Sequence, residues 1–194
     1  QKSGEGFYKK IDKGVIHSLD FDSLEYKPQT KRRFDSIKVA KEYTRTSDRM
    51  MAFFNHDDSA AKFIKDLTLS VLLYTANRVG DISDNIVGID NAMKWGFGWS
   101  TGPFEIWDEI GLLETVELMK AGGYDIPQWV QEMIDGNFIS FYLNTNTGRY
   151  YYDPNSKDYI KSQKGKNEIS FGMFADKSAI IHKHWSASLV DLDD

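Results

Sequence analysis

The stretch IDNAMKWGFGWSTGPFEIWDEIG, residues 89–111, sets three Trp, two Phe and four Gly within twenty-three positions, and its period decides the fold. Gly96, Gly98 and Gly102 look at first like a dinucleotide fingerprint. Their spacing is Gly-x-Gly-x-x-x-Gly, however, and a phosphate-cradling glycine loop is fed by a buried strand. The residues before this one have helical period instead, with Ile86, Ile89, Met93 and Trp95 as the candidates for burial. The stretch therefore predicts a turn between two helices. Gly96 and Gly98 end the first, Pro103 opens the second where its missing N–H costs nothing, and Trp95, Phe97, Trp99 and Phe104 pack around the glycines.

Helical period continues on both sides. Phe34, Ile37, Val39, Ala40 and Tyr43 fit spacings of three and four, and SDRMMAFFN follows with Ser47 as N-cap. The longest periodic element runs over 59–79. It is capped by Asp57 or Asp58 and closed by Gly80, with Phe63, Ile64, Leu67, Val71, Leu72 and Tyr74 on a broad apolar face. Ser83 or Asp84 caps the helix leading to Trp95. Downstream, GPFEIWDEIG, LLETVELMKAGG and PQWVQEMIDG give three more helices, so six or seven are expected between 34 and 136, with no strand. Then NFISFYLNTNTGRYYYDPN, residues 137–155, places two aromatic runs around a polar turn with Gly148, a hairpin signal. Residues 169–192 can hold a helical turn and a strand. Residues 11–33 show no clear period and read as an extended linker, and no internal repeat is evident. The expected fold is mainly α, a helical bundle with a long N-terminal linker and a C-terminal β-hairpin tail.

The totals limit the function. A net charge of -5, from 24 basic and 29 acidic residues, argues against a protein built to grip nucleic-acid phosphates. The RYYYD run at 149–153 has the aromatics of a single-strand binder but little basic surround. Without Cys, disulfides, thiolate nucleophiles and cysteine-ligated zinc are excluded. No apolar run is long enough for a membrane span. The first residues lack an initiator Met and a signal core, and both ends read as cut from a longer polypeptide.

No residue is assigned a catalytic, cofactor-binding or metal role. His182 and His184 lie two apart, as in some strand-borne metal sites, but no third ligand completes the set. His17 and His56 read as isolated surface residues. Of the carboxylate pairs Asp57–Asp58, Asp108–Glu109 and Asp193–Asp194, the first reads as a helix cap rather than as two groups sharing a proton. Residues 31–33, KRR, read as a solvated basic run. No Ser lies in a nucleophile-elbow context.

Taken with the residues that follow it, the opening stretch resembles the C-terminal helical domain of 3-hydroxyacyl-CoA dehydrogenases. The matching positions are Ile89, Asp90, Ala92, Met93, Gly96, Gly98, Gly102, Pro103, Phe104, Asp108, Gly111 and Leu112, while Gly88 departs from that family's Asp. KSGEGFYKK, residues 2–10, resembles the motif closing a first copy of that domain. WSASLVDLDD, residues 185–194, resembles the opening strand of an enoyl-CoA hydratase domain. The resemblance implies three parts: 1–33 as the end of a preceding copy plus linker, 34–136 as a second helical copy, and 137–194 as a hairpin leading into a hydratase. It further implies a cytoplasmic, NAD-dependent β-oxidation enzyme acting on acyl-CoA. NAD would sit in a Rossmann domain outside this chain, the partners would be the flanking domains, and a homodimer is compatible. Aligned to the family's substrate-facing Asn-Arg pair stand Asp66 and Leu67. Asn77-Arg78 spells the pair but lies about three turns too late. The resemblance thus implies an inactive copy that covers the first copy's apolar face and shapes the cleft. An independent helical interaction module is the alternative.

Overall fold

The computed structural model describes residues 6–30, 32–145, 147–162, 180–184 and 187–190. Among the described residues seven helices follow one another: α1 (Asp35–Ala40), α2 (Thr46–Phe54), α3 (Ser59–Ala76), α4 (Ile86–Phe97), α5 (Pro103–Ile110), α6 (Leu112–Ala121) and α7 (Gln128–Asp135). They are flanked by three small antiparallel sheets. The first is β1 (Tyr8–Asp12), β2 (Val15–Leu19) and β3 (Tyr26–Pro28). The second is β4 (Tyr142–Thr145), β5 (Gly148–Asp153) and β6 (Asp158–Lys161). The third pairs β7 (Ile180–Lys183) with β8 (Ser188–Val190). Expectations for residues 163–179 and for Asp193 and Asp194 fall outside the described residues.

The helix ends follow local chemistry. Asp58 caps α3 by accepting the Ala61 N–H (2.9 Å), and the same carboxylate accepts the N–H (2.9 Å) and hydroxyl (2.8 Å) of Ser36 in the first turn of α1. One side chain thus serves the starts of two helices, and its pKa is held below the usual range by the Ser36 N–H. Asn85 caps α4, rather than Ser83 or Asp84, through the Gly88 N–H (3.0 Å). Gly96 stays helical, and α4 ends at Gly98, whose φ of 70° is left-handed. Arg45 occupies the N-cap of α2, so Ser47 lies inside the helix. Helix α3 ends at Ala76, three residues before the expected limit.

Burial corrects the predicted faces. The core runs through Leu69 and Leu72 of α3, Ile86 and Ile89 of α4, Phe104 and Trp107 of α5, Val116 and Met119 of α6, Val130 and Met133 of α7, Phe141 just before β4, and Tyr152 of β5. Helix α3 turns Ala61, Leu69, Leu72, Thr75 and Ala76 inward and leaves Phe63, Leu67 and Tyr74 exposed. Apolar residues on two faces of this helix hid from the sequence which of them meets its neighbours. The glycine turn differs from expectation in the same way. Phe104 is fully buried, but Trp95 (79%) and Phe97 (75%) are among the most exposed side chains and do not pack around the glycines.

The N-terminal linker is also corrected. Residues 8–28 form a three-stranded antiparallel meander, β1-β2-β3, not a bare tether. This meander repeats β4-β5-β6, contrary to the expectation of no repeat. Leu19 opposes Tyr26 as Tyr152 opposes Tyr159, and Tyr8 opposes Ser18 as Tyr142 opposes Tyr151. The Leu19 N–H donates to the Phe7 carbonyl (2.9 Å) and the Tyr152 N–H to the Phe141 carbonyl (2.8 Å). In the second turn the Asp20 and Asp153 carboxylates accept the N–H of Ser23 and Ser156, and Leu24 and Lys157 share a φ near +55°. The hydroxyls of Tyr26 and Tyr159 each reach back 2.6 Å to the carbonyl just before the Phe-Tyr pair, on Gly6 and Ser140.

Candidate functional site

The densest polar chemistry lies where the second meander meets α4 and α5. Helix α5 begins Gly102-Pro103-Phe104-Glu105, and its N-cap glycine has no side chain with which to hold the first free N–H groups. Asp90 of α4 does so instead. Its carboxylate accepts the N–H of Phe104 (2.9 Å) and Glu105 (3.2 Å), while Glu105 reaches back to the Gly102 N–H (2.7 Å). A Cβ on Gly102 would overlap the Asp90 carboxylate, so this glycine is required by close approach.

The same carboxylate accepts the Tyr142 hydroxyl (2.8 Å) from β4. One turn beyond Glu105, Asp108 accepts the consecutive N–H groups of Phe141 (2.6 Å) and Tyr142 (2.8 Å), fixing the start of the meander on α5. Glu105 carries two cations on one oxygen, Lys94 Nζ (2.8 Å) and Arg149 Nη2 (2.7 Å). The Arg149 guanidinium lies 4.0 Å over the Tyr142 ring. Phe141 beside them enters a fully buried pocket, 5.0 Å from Phe104, 5.1 Å from Trp107 and 5.9 Å from Trp129 between ring centres.

The three carboxylates titrate differently. Burial pushes Asp90 up to about 6 and Asp108 up to about 7, against the pull of the N–H groups each accepts. Burial also acts on Glu105, but Lys94, the Gly102 N–H and Arg149 outweigh it and leave its pKa below the usual range. Burial and the Asp90 charge together raise Tyr142 far above a free phenol. Each oxygen of Asp90 and Asp108 already accepts a hydrogen bond from within the chain. Chemically the arrangement is a clamp that joins α4, α5 and the second meander.

The glycine turn does not fit a dinucleotide. The N–H groups of Gly102, Phe104 and Glu105, which would face a phosphate, are bonded to Glu105 and Asp90. His182 lies on β7 and His184 just past its end, with a register irregularity in the strand. His17 and His56 are half-buried and hydrogen-bonded to the carbonyls of Tyr26 and Ala52. Asp66 and Leu67 lie on the exposed side of α3. Asn77 caps that helix, and Arg78 pairs with Asp81 (3.0 Å). Arg32 and Arg33 are exposed. Tyr152 of the RYYYD run is buried against Phe138 and Trp129 and is not displayed for base stacking.

Sequence reasoning gave no role to Asp90, Glu105, Tyr142 or Arg149 and paired Asp108 with the wrong neighbour. One signal was present: a glycine N-cap followed by proline needs an acceptor from elsewhere, and Asp90 and Asp108 bracket that turn.

No protein-family model and no solved structure matches the chain. Over 193 residues, 100% of this chain, it is 39% identical to the "Probable 3-hydroxyacyl-CoA dehydrogenase" of Bacillus subtilis (strain 168), covering 24% of that protein. Over 114 residues, 55% of the chain, it is 38% identical to the "Putative fatty acid oxidation complex trifunctional enzyme" of Rickettsia felis (strain ATCC VR-1525 / URRWXCal2), covering 14% of it. The chain spans about a quarter or less of the curated relatives it matches. Among the described residues, no helix is long and apolar enough to cross a membrane. From end to end, then, the chain is similar to one part of a protein named as a 3-hydroxyacyl-CoA dehydrogenase.

Proposed function

We propose that this chain is the central helical region of a multifunctional, cytoplasmic fatty-acid β-oxidation enzyme. Its dehydrogenase would be NAD-dependent and act on 3-hydroxyacyl-CoA, with a hydratase domain following. NAD and the catalytic groups belong to parts of that polypeptide outside these residues. The chain's own task is to cover a preceding helical copy and shape the acyl-CoA cleft. The observation that carries this reading is the identity of 39% along all of the chain to a dehydrogenase of which it covers 24%. The exposed stripe Phe63, Leu67 and Tyr74 on α3 supports it, because a second apolar face opposite the buried one is a face suited to being covered. Where the family's substrate-facing pair aligns, Asp66 and Leu67 offer no amide and no guanidinium, which supports a non-catalytic copy.

The test is an NAD-reduction assay with 3-hydroxyacyl-CoA. The 194-residue chain alone should give no turnover, while the full polypeptide is active and loses activity on Phe63→Asp or Leu67→Asp. Turnover by the chain alone would refute the account of Asp66. The exposure of Trp95 and Phe97 favours a second reading, an independent module that binds a partner protein. A natural reading frame closing near residues 1 and 194 would select that one.

A further inference from the structure

The two meanders share strand order, most of the register, the geometry of the second turn and the tyrosine that locks back onto the Phe-Tyr pair, although β1–β2 carries an irregularity between Lys10 and Asp12. Among the described contacts only one of them is seated. In the second, Phe141 is fully buried among Phe104, Trp107 and Trp129, and the N–H groups of Phe141 and Tyr142 leave the sheet to reach Asp108. In the first, the equivalent Phe7 and Tyr8 are each 66% exposed, with Phe7 meeting only Phe21 edge-on at 5.9 Å among the ring contacts described. A small sheet with its aromatic key in water lacks the apolar cover such sheets need.

We propose that the β1-β2-β3 meander docks through Phe7 and Tyr8 onto a second helical bundle of the α4–α7 kind within the same polypeptide. That bundle would offer an aromatic pocket for Phe7, a carboxylate in the place of Asp108 for the Phe7 and Tyr8 N–H groups, and one in the place of Asp90 for the Tyr8 hydroxyl. The inference rests on the reading of a longer polypeptide, and the relative four times as long leaves room for such a bundle. The occupant is not a second copy of this chain, because the seat on its bundle is already filled by its own β4-β5-β6. Register adds a distinguishing feature. Ile16 stands where Arg149 stands in the second meander, so this sheet offers no cation at that register position to pair with a residue in the place of Glu105.

Amide hydrogen exchange on the full natural polypeptide tests the docking. The amides of Phe7 and Tyr8 should be protected about as strongly as those of Phe141 and Tyr142. Phe7→Asp should abolish protection at 7–8 while leaving 141–142 unchanged. In the isolated 194-residue chain, Phe7 and Tyr8 should exchange at least 100-fold faster than in the full polypeptide. Rapid exchange at these amides in a full polypeptide that is an active dehydrogenase would overturn the docking and leave the proposed function intact. Protection that disappears on dilution would overturn it too, by placing the seat on another molecule. A full polypeptide no longer than this chain would remove both.

Discussion

At the scale of single residues, Gly102 and Asp90 form one device divided between two helices. The glycine gives up its own capping side chain and the aspartate supplies the acceptor from twelve positions earlier, which is possible only if no Cβ stands between them. Gly102→Ala should therefore displace Asp90 and lower the denaturant midpoint, although φ at that position is an ordinary -74°. An unchanged midpoint would show that the overlap is relieved without cost. Phe104 and its exposed neighbours separate by burial in the same experiment. Phe104→Ala should cost about 3–5 kcal/mol, while Trp95→Ala and Phe97→Ala stay within about 0.5 kcal/mol. Equal losses at all three would contradict the placement of the turn.

At the scale of elements, two carboxylates join pieces that sequence separates. Asp58 holds the starts of α1 and α3, so Asp58→Ala should fray both helices, read as faster exchange of the Ser36 and Ala61 amides together. Fraying of α3 alone would mean that α1 is held by packing. Asp108 fixes β4 to α5 by two backbone bonds, and its loss strands two N–H groups at about 1–3 kcal/mol each where they are buried. Asp108→Ala should loosen β4-β5-β6 while α1–α3 keep their protection, because the sheet's other described ties, its aromatic contacts, the Tyr142 and Arg149 bonds and the Lys157–Glu132 ion pair, all go to α4, α5 and α7 or their neighbours. Loosening spread evenly over the molecule would instead mark the sheet as part of one cooperative unit.

At the scale of the whole molecule, the clamp gives stability an inverted dependence on pH. Asp90 and Asp108 have folded pKa values raised to about 6 and about 7, above an ordinary carboxylate, so the folded state binds protons that the unfolded chain has released. Their contribution is complete below the ordinary carboxylate range and is lost as pH rises through 6 and 7. Glu105 and Asp58 act in the opposite sense, stabilising above the ordinary range and losing that effect in acid. The unfolding midpoint should therefore peak near the ordinary carboxylate value, at about pH 4, and fall until pH passes about 7, and Asp108→Asn should flatten the fall. A midpoint rising steadily from pH 5 to 8 would show that both carboxylates are ionised in the folded protein.

What the sequence alone determined was local: the run of six or seven helices, a cap from Asp57 or Asp58, Pro103 at a helix start, a helix end at Gly96 and Gly98, and the hairpin reaching Gly148. Each rests on backbone geometry or on a bond spanning a few residues, and such signals lie within a short window of sequence. The resemblance carried by residues 89–112 was legible for the same reason, as a run of fixed Gly, Pro and acidic positions. Tertiary structure alone decided which side of α3 is covered, that Trp95 and Phe97 face water, and that Asp90 meets Tyr142 across 52 positions. It also revealed the repeated meander, because pairing register and turn geometry persist where Phe-Tyr, the turn Asp and Ser, and one Tyr are nearly all that the two sequences share. Burial and long-range hydrogen bonds depend on what the rest of the chain brings alongside, and no local pattern encodes that.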